Sequence, residues 1–118
     1  MNLRVECTTQ DRAIRIAHDI LDKVRNGEFD TWSFAHVSVD EQRQHLPCIY
    51  HDTAQTQDED KIAYFHVYQL GTQVVFDMYP RRDSNLTRDV KLWLLGRLAE
   101  MVISHYIEHI VSIHFNTL

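Results

Sequence analysis

Near the C-terminus, His105-Tyr106-Ile107-Glu108-His109 spells H-x-x-E-H. Two imidazoles spaced i,i+4 on one helix can share a zinc ion, with the intervening carboxylate as a base. A looser set is His51, His66 and His114, to which Asp77 would add a carboxylate. These four stand in separate apolar-alternating segments and make a metal site only if the strands converge. Asp77, flanked by Phe76 and Met78, could also work with His66 or Tyr64 as a general acid–base pair.

Each of these has a plainer reading. The pentapeptide is similar to the inverzincin pattern. That resemblance implies a third zinc ligand far downstream, whereas nine residues follow His109. The motif also falls where its helix must end, so His105 is expected to serve the negative helix C-terminus instead of a metal. Histidines on strands are more often surface or hydrogen-bonded residues than ligands, and no metal site is expected. Asp77 is expected to face outward and to pair with Arg81 or Arg82. Tyr64, Tyr68, Tyr79 and Trp32 are read as core residues or, alternatively, as one exposed aromatic patch.

Nucleophilic and nucleotide chemistry find no motif. There is no G-x-S-x-G, and Cys7 and Cys48 lie in apolar-alternating segments, the pattern of buried free thiols. Gly27, Gly71 and Gly96 stand alone, so no glycine-rich phosphate loop can form and no cofactor is expected. Pro80-Arg81-Arg82 is a small basic cluster, read as a solvated turn and far short of a nucleic-acid footprint.

The 118 residues are 44% hydrophobic and 25% charged. That suits one domain, residues 1–118, with a core that needs neither disulfides nor metal. The formal net charge of −5 repels phosphates and would steer a basic protein inward. Met1–Thr8 has no apolar signal segment, and no run is long and apolar enough to span a membrane. With two cysteines and no C-x-x-C, a reducing cytoplasm is the expected setting.

Positioning these side chains requires the elements that periodicity predicts. Asn2–Cys7 alternates as a strand. A helix capped at Thr8 follows, with the stripe Ala13, Ile16, Ala17, Ile20, Leu21 and Val24, and it ends at Asn26-Gly27. Strands are expected over Thr31–Val39, from Pro47 through Cys48–His51, over Lys61–Gln69 and over Gln73–Tyr79. Asp40–His45 and Asp52–Asp60 are polar connectors. Ser84 or Asn85 is expected to cap a long helix that is apolar almost all round, and hence to be buried on most sides or covered by a partner chain. A strand over Ile110–Phe115 closes the chain. The order β-α-β-β-β-β-α-β gives an α+β fold, mainly antiparallel, with both helices on one sheet face.

Function is then expected by elimination: a small acidic protein-binding module without enzymatic activity. Its most concrete form is an immunity or inhibitor protein that caps a basic toxin such as a nuclease, using Asp40, Glu41, Asp52, Asp58, Glu59 and Asp60. The alternatives are a small histidine-dependent metal-binding hydrolase and a structural homo-oligomer, for instance a homodimer burying the long helix.

Overall fold

A computed structural model describes residues 1–38, 45–52, 63–80 and 86–118. Strand β1 is Asn2–Cys7, helix α1 is Gln10–Arg25, and strands β2 to β5 are Trp32–Ser38, His45–His51, Ala63–Leu70 and Gln73–Pro80. Helix α2 is Arg88–Tyr106, a 3-10 turn covers Ile107–His109, and β6 is Ile110–Asn116. The six strands form one antiparallel sheet in the order β2-β3-β4-β5-β1-β6. The expected α+β architecture is therefore the observed one. The meander β2 to β5 makes two thirds of the sheet, and β1 is inserted between β5 and β6.

Alternation decides which residues each face receives. Leu3, Val5 and Cys7 on β1 join Val74, Phe76 and Met78 on β5 and Ala63, Phe65 and Val67 on β4 in one buried cluster. The α1 stripe Ala13, Ile16, Ala17, Ile20 and Val24 packs into it, as do Leu94, Leu95, Leu98 and Val102 of α2. Both helices thus cover the same face. Each large apolar side chain buried here is worth about 1.5–3 kcal/mol before entropy. Gly71, at φ +60, turns β4 into β5 with only Gly71-Thr72 between the paired Leu70 and Gln73.

Several boundaries differ from expectation. The α1 cap is Thr9, not Thr8, with its hydroxyl accepting from the Arg12 N–H at 3.1 Å. Thr87 caps α2, accepting from the Val90 N–H at 3.3 Å; Ser84 and Asn85 lie outside the described residues. At α1 two neighbouring threonines are equivalent as caps, so residue type alone does not choose between them. Strand β3 starts at His45, so Pro47 lies inside it, opposite His36. Its pairing to β4 is at Cys48 and Ile49, so Pro47 occupies the edge-like position where a strand tolerates proline.

Helix α2 is less covered than its composition suggests. Leu92, Trp93 and Ile103 are exposed while Leu94, Leu95, Leu98 and Val102 are buried. One sheet face and α1 cover part of a helix's circumference, and the remaining apolar residues face out. The phenol of Tyr106 ties α2 to α1 by donating to Asp19 Oδ2 at 2.5 Å. Among the described residues no helix is long and apolar enough to cross a membrane.

Candidate functional site

The face of the sheet opposite the helices carries most of the distinctive chemistry. Cross-strand register builds it in rows. One row runs Ala35–Cys48–His66–Asp77–Asn2–Asn116, from β2 to β6. On one side of it Tyr64 lies opposite Tyr79, and Tyr50 meets Tyr64 edge to face with ring centres 5.5 Å apart. On the other side runs Tyr68–Val75–Arg4–His114. A sheet face that merely meets water takes polar side chains at alternate positions. Here four tyrosines and His66 occupy β3, β4 and β5 instead. Cys48 and Val75 lie fully buried at the base of this layer.

Asp77 is held at the centre. Its Oδ2 accepts from the Tyr68 hydroxyl at 2.8 Å and its Oδ1 from the Asn2 amide at 3.3 Å. The Asn2 side-chain oxygen, Oδ1, is itself a buried acceptor without a donor among the described residues. Burial, and then the hydrogen bond to Asp77, push the Tyr68 phenol up to about 12, so it remains a donor at neutral pH. The His66 ring stacks on Tyr68 with centres 4.8 Å apart. Burial holds its pKa below the ordinary histidine range, against the opposing pull of Asp77. Neutral imidazole, protonated phenol and carboxylate together make a surface that accepts positive charge.

The acid–base reading of Asp77 changes in this geometry. His66 is its cross-strand neighbour, but the carboxylate oxygens are engaged by Tyr68 and Asn2, and Tyr64 lies one row away opposite Tyr79. Arg81 and Arg82, the expected partners of Asp77, lie outside the described residues. Cys48 does stand beside His66 in register. Its thiol is fully buried and burial pushes its pKa up to about 12, opposite to the shift a nucleophilic thiolate needs. Cys7 is buried too, its pKa raised by burial and then by Glu6.

The metal readings meet the fold as follows. Helix α2 ends at Tyr106, so Glu108 and His109 belong to the 3-10 turn and the motif is not one helical face. The His105 ring stacks on Phe29 with centres 4.2 Å apart, and the His109 carbonyl accepts from the Thr8 N–H at 3.2 Å. His51 faces the helices with Trp32, whereas His66 and His114 share the other face with β5 and β1 between their strands. Among the described residues no three such side chains gather to hold a metal ion.

Trp32 is separated from the tyrosines grouped with it by sequence: it lies in the helix-side core, 5% exposed. Register places it opposite His51, which puts its side chain on the face away from Tyr50 and Tyr64. Of the six acidic residues singled out for partner binding, Asp52 is described. It ends the β3 segment, accepts a hydrogen bond from Ser33, and donates its N–H to the Thr31 carbonyl at 2.7 Å. Asp40, Glu41, Asp58, Glu59 and Asp60 lie outside the described residues.

Sequence reasoning missed Tyr50 and Asn2. Tyr50 was hidden because a short segment shows its facing only once paired, and Asn2 because its bond to Asp77 spans 75 residues. In comparisons with known proteins, no protein family, curated protein or solved structure matches this chain.

Proposed function

We propose that this chain is a non-catalytic protein-binding module that receives a basic partner on the helix-free face of its sheet. The observation that carries the reading is the aromatic layer of Tyr50, Tyr64, Tyr68, Tyr79 and His66 around the Asp77 carboxylate. Tyrosine rings supply large contact area at low entropic cost and are enriched where proteins bind one another. Their faces also attract guanidinium and ammonium groups. Asp77 and Asp52 add carboxylates at the same strands, and the net charge of −5 steers a cationic surface towards them.

The most concrete form of this function is an immunity or inhibitor protein that caps a basic toxin domain, such as a nuclease. Nuclease surfaces that bind phosphates are rich in lysine and arginine, and an aromatic and acidic face is complementary to them. Asp58, Glu59 and Asp60 belong to the segment joining β3 to β4, the connection in sequence beside Tyr50 and Tyr64, whereas Asp40 and Glu41 belong to the segment joining β2 to β3, which enters β3 at its other end. Two buried free thiols suit work in a reducing compartment such as the cytoplasm.

The test is calorimetric titration of basic nuclease domains, first those encoded beside this reading frame, at low and at high salt. A saturable one-to-one complex that weakens with salt, and weakens further with Tyr64→Ser, is expected. Absence of any saturable complex at low salt contradicts the proposal.

A further inference from the structure

The two edges of the sheet are not alike. Strands β2 and β6 are both terminal in the order, but of the two only β6 carries large exposed apolar residues. Val111 and Phe115 of β6 are 64% and 52% exposed, and Ile107, just before β6, is 63% exposed. Leu92 and Ile103 of α2, the helix that packs on β6 and β1, are exposed as well. No residue of β2 belongs to this group. Edge strands are usually guarded against pairing by lysine, proline or other charges. The β6 sequence IVSIHFN contains none of these, and no described strand pairs with its outer side.

We propose that a second copy of this chain pairs antiparallel with the outer edge of β6, about a two-fold axis through Ile113, joining two six-stranded sheets into one. Ile113 is the middle residue of Ile110–Asn116, so this register pairs the strand over its full length. It sets Val111 opposite Phe115 of the second copy, apolar against apolar. It also sets Ser112 opposite His114, whose Oγ and Nε2 already lie 2.8 Å apart within one chain and can exchange that bond across the axis. A two-fold interface must be self-complementary in this way.

Charge agrees with the second copy as occupant. A net charge of −5 would oppose self-association through most surfaces, but β6 contains no aspartate, glutamate, lysine or arginine. At the ends of the strand the charges are opposite. Arg88 donates to the Thr117 carbonyl at 3.1 Å and so marks the exit of β6, while Glu108 stands two residues before its start. Antiparallel pairing brings the exit of each copy to the start of the other, so Arg88 meets Glu108 twice. This surface is distinct from the helix-free face, and the two can be occupied together.

Sedimentation velocity across a wide range of protein concentration tests the proposal. The native chain is expected to sediment at twice the mass of the 14.0 kDa protomer as concentration rises. The double variant Val111→Lys with Phe115→Lys, checked for folding by circular dichroism, is expected to remain a monomer, as is Val111→Glu with Phe115→Glu. An equimolar mixture of the two, which sets lysine against glutamate in the stated register, is expected to recover the dimer. A native chain that stays monomeric throughout overturns the proposal. So does a dimer that both variants leave intact, since its interface then lies elsewhere, and so does a mixture that stays monomeric.

Discussion

His51 gives the sharpest test of the helix-side core. It is 2% exposed and neither ring nitrogen has a hydrogen-bond partner among the described residues. The imidazole is flanked edge to face by Trp32 and Trp93, each with ring centres 5.2 Å away. Burial first, then the nearby positive charge of Arg97, hold its pKa below the ordinary histidine value, and Asp52 pulls weakly the other way. The unfolded chain takes up this proton near pH ~6.5, and the folded chain only at lower pH. Between the two values unfolding binds a proton, so stability is complete above the ordinary value and falls as pH drops below it. The slope is about 1.4 kcal/mol per pH unit for each such histidine.

His66 is shifted in the same direction and contributes a second slope, so the two must be separated by substitution. His51→Phe keeps an aromatic ring between the indoles and removes the titration together with two buried, unpaired nitrogens. Leaving such a group unpaired costs about 1–3 kcal/mol, so the variant is expected to be at least as stable as the native chain at neutral pH. It is also expected to lose one histidine's worth of slope at acid pH. Urea unfolding at a series of pH values, followed by tryptophan fluorescence, reads both effects. The signal is local, because the chain's two tryptophans are the two that touch His51. An unchanged slope in His51→Phe, with His66→Gln as the comparison, would refute the reasoning.

Two further outcomes follow from the same contacts. Tyr106→Phe removes the hydroxyl that binds Asp19 across the helix pair and is expected to cost about 1.5–3 kcal/mol in urea unfolding, the range for a hydrogen bond to a charged group; a loss near zero would mean that the bond contributes nothing to docking α2. Cys48, fully buried with its pKa pushed up to about 12, is expected to react with a thiol reagent at neutral pH only as fast as the chain unfolds; rapid labelling of the native protein would show that the floor of the tyrosine layer is open.

What could be read from the sequence was local. Period-two alternation separated Leu3, Val5 and Cys7 from Asn2, Arg4 and Glu6, and Val74, Phe76 and Met78 from Val75, Asp77 and Tyr79, because neighbouring residues alone determine it. The hairpin β4–β5, apolar or aromatic over most of both faces, takes the two central places in the sheet. What stayed hidden depends on register between distant segments. No local signal says that β1 inserts between β5 and β6, or that Trp32 and Tyr64 lie on opposite faces, since each strand's pattern leaves its parity relative to the next strand undefined. His51 was expected at the surface or in a hydrogen bond, with a metal site shared with His66 and His114 as the alternative; its true surroundings, two indoles, come from β2 and α2. Asp77 looked anomalous in an apolar strand, and its partners Tyr68 and Asn2 are supplied by the strands on either side.

The central claim is that the helix-free face is the docking surface. Amide hydrogen exchange on the complex with a basic nuclease domain, read strand by strand against the free chain, tests it most directly. Added protection is predicted in β3, β4 and β5 around Tyr50, Tyr64, Tyr68 and Asp77, with α1 and α2 unchanged. Protection confined to the helices, with those strands unaltered, would contradict it.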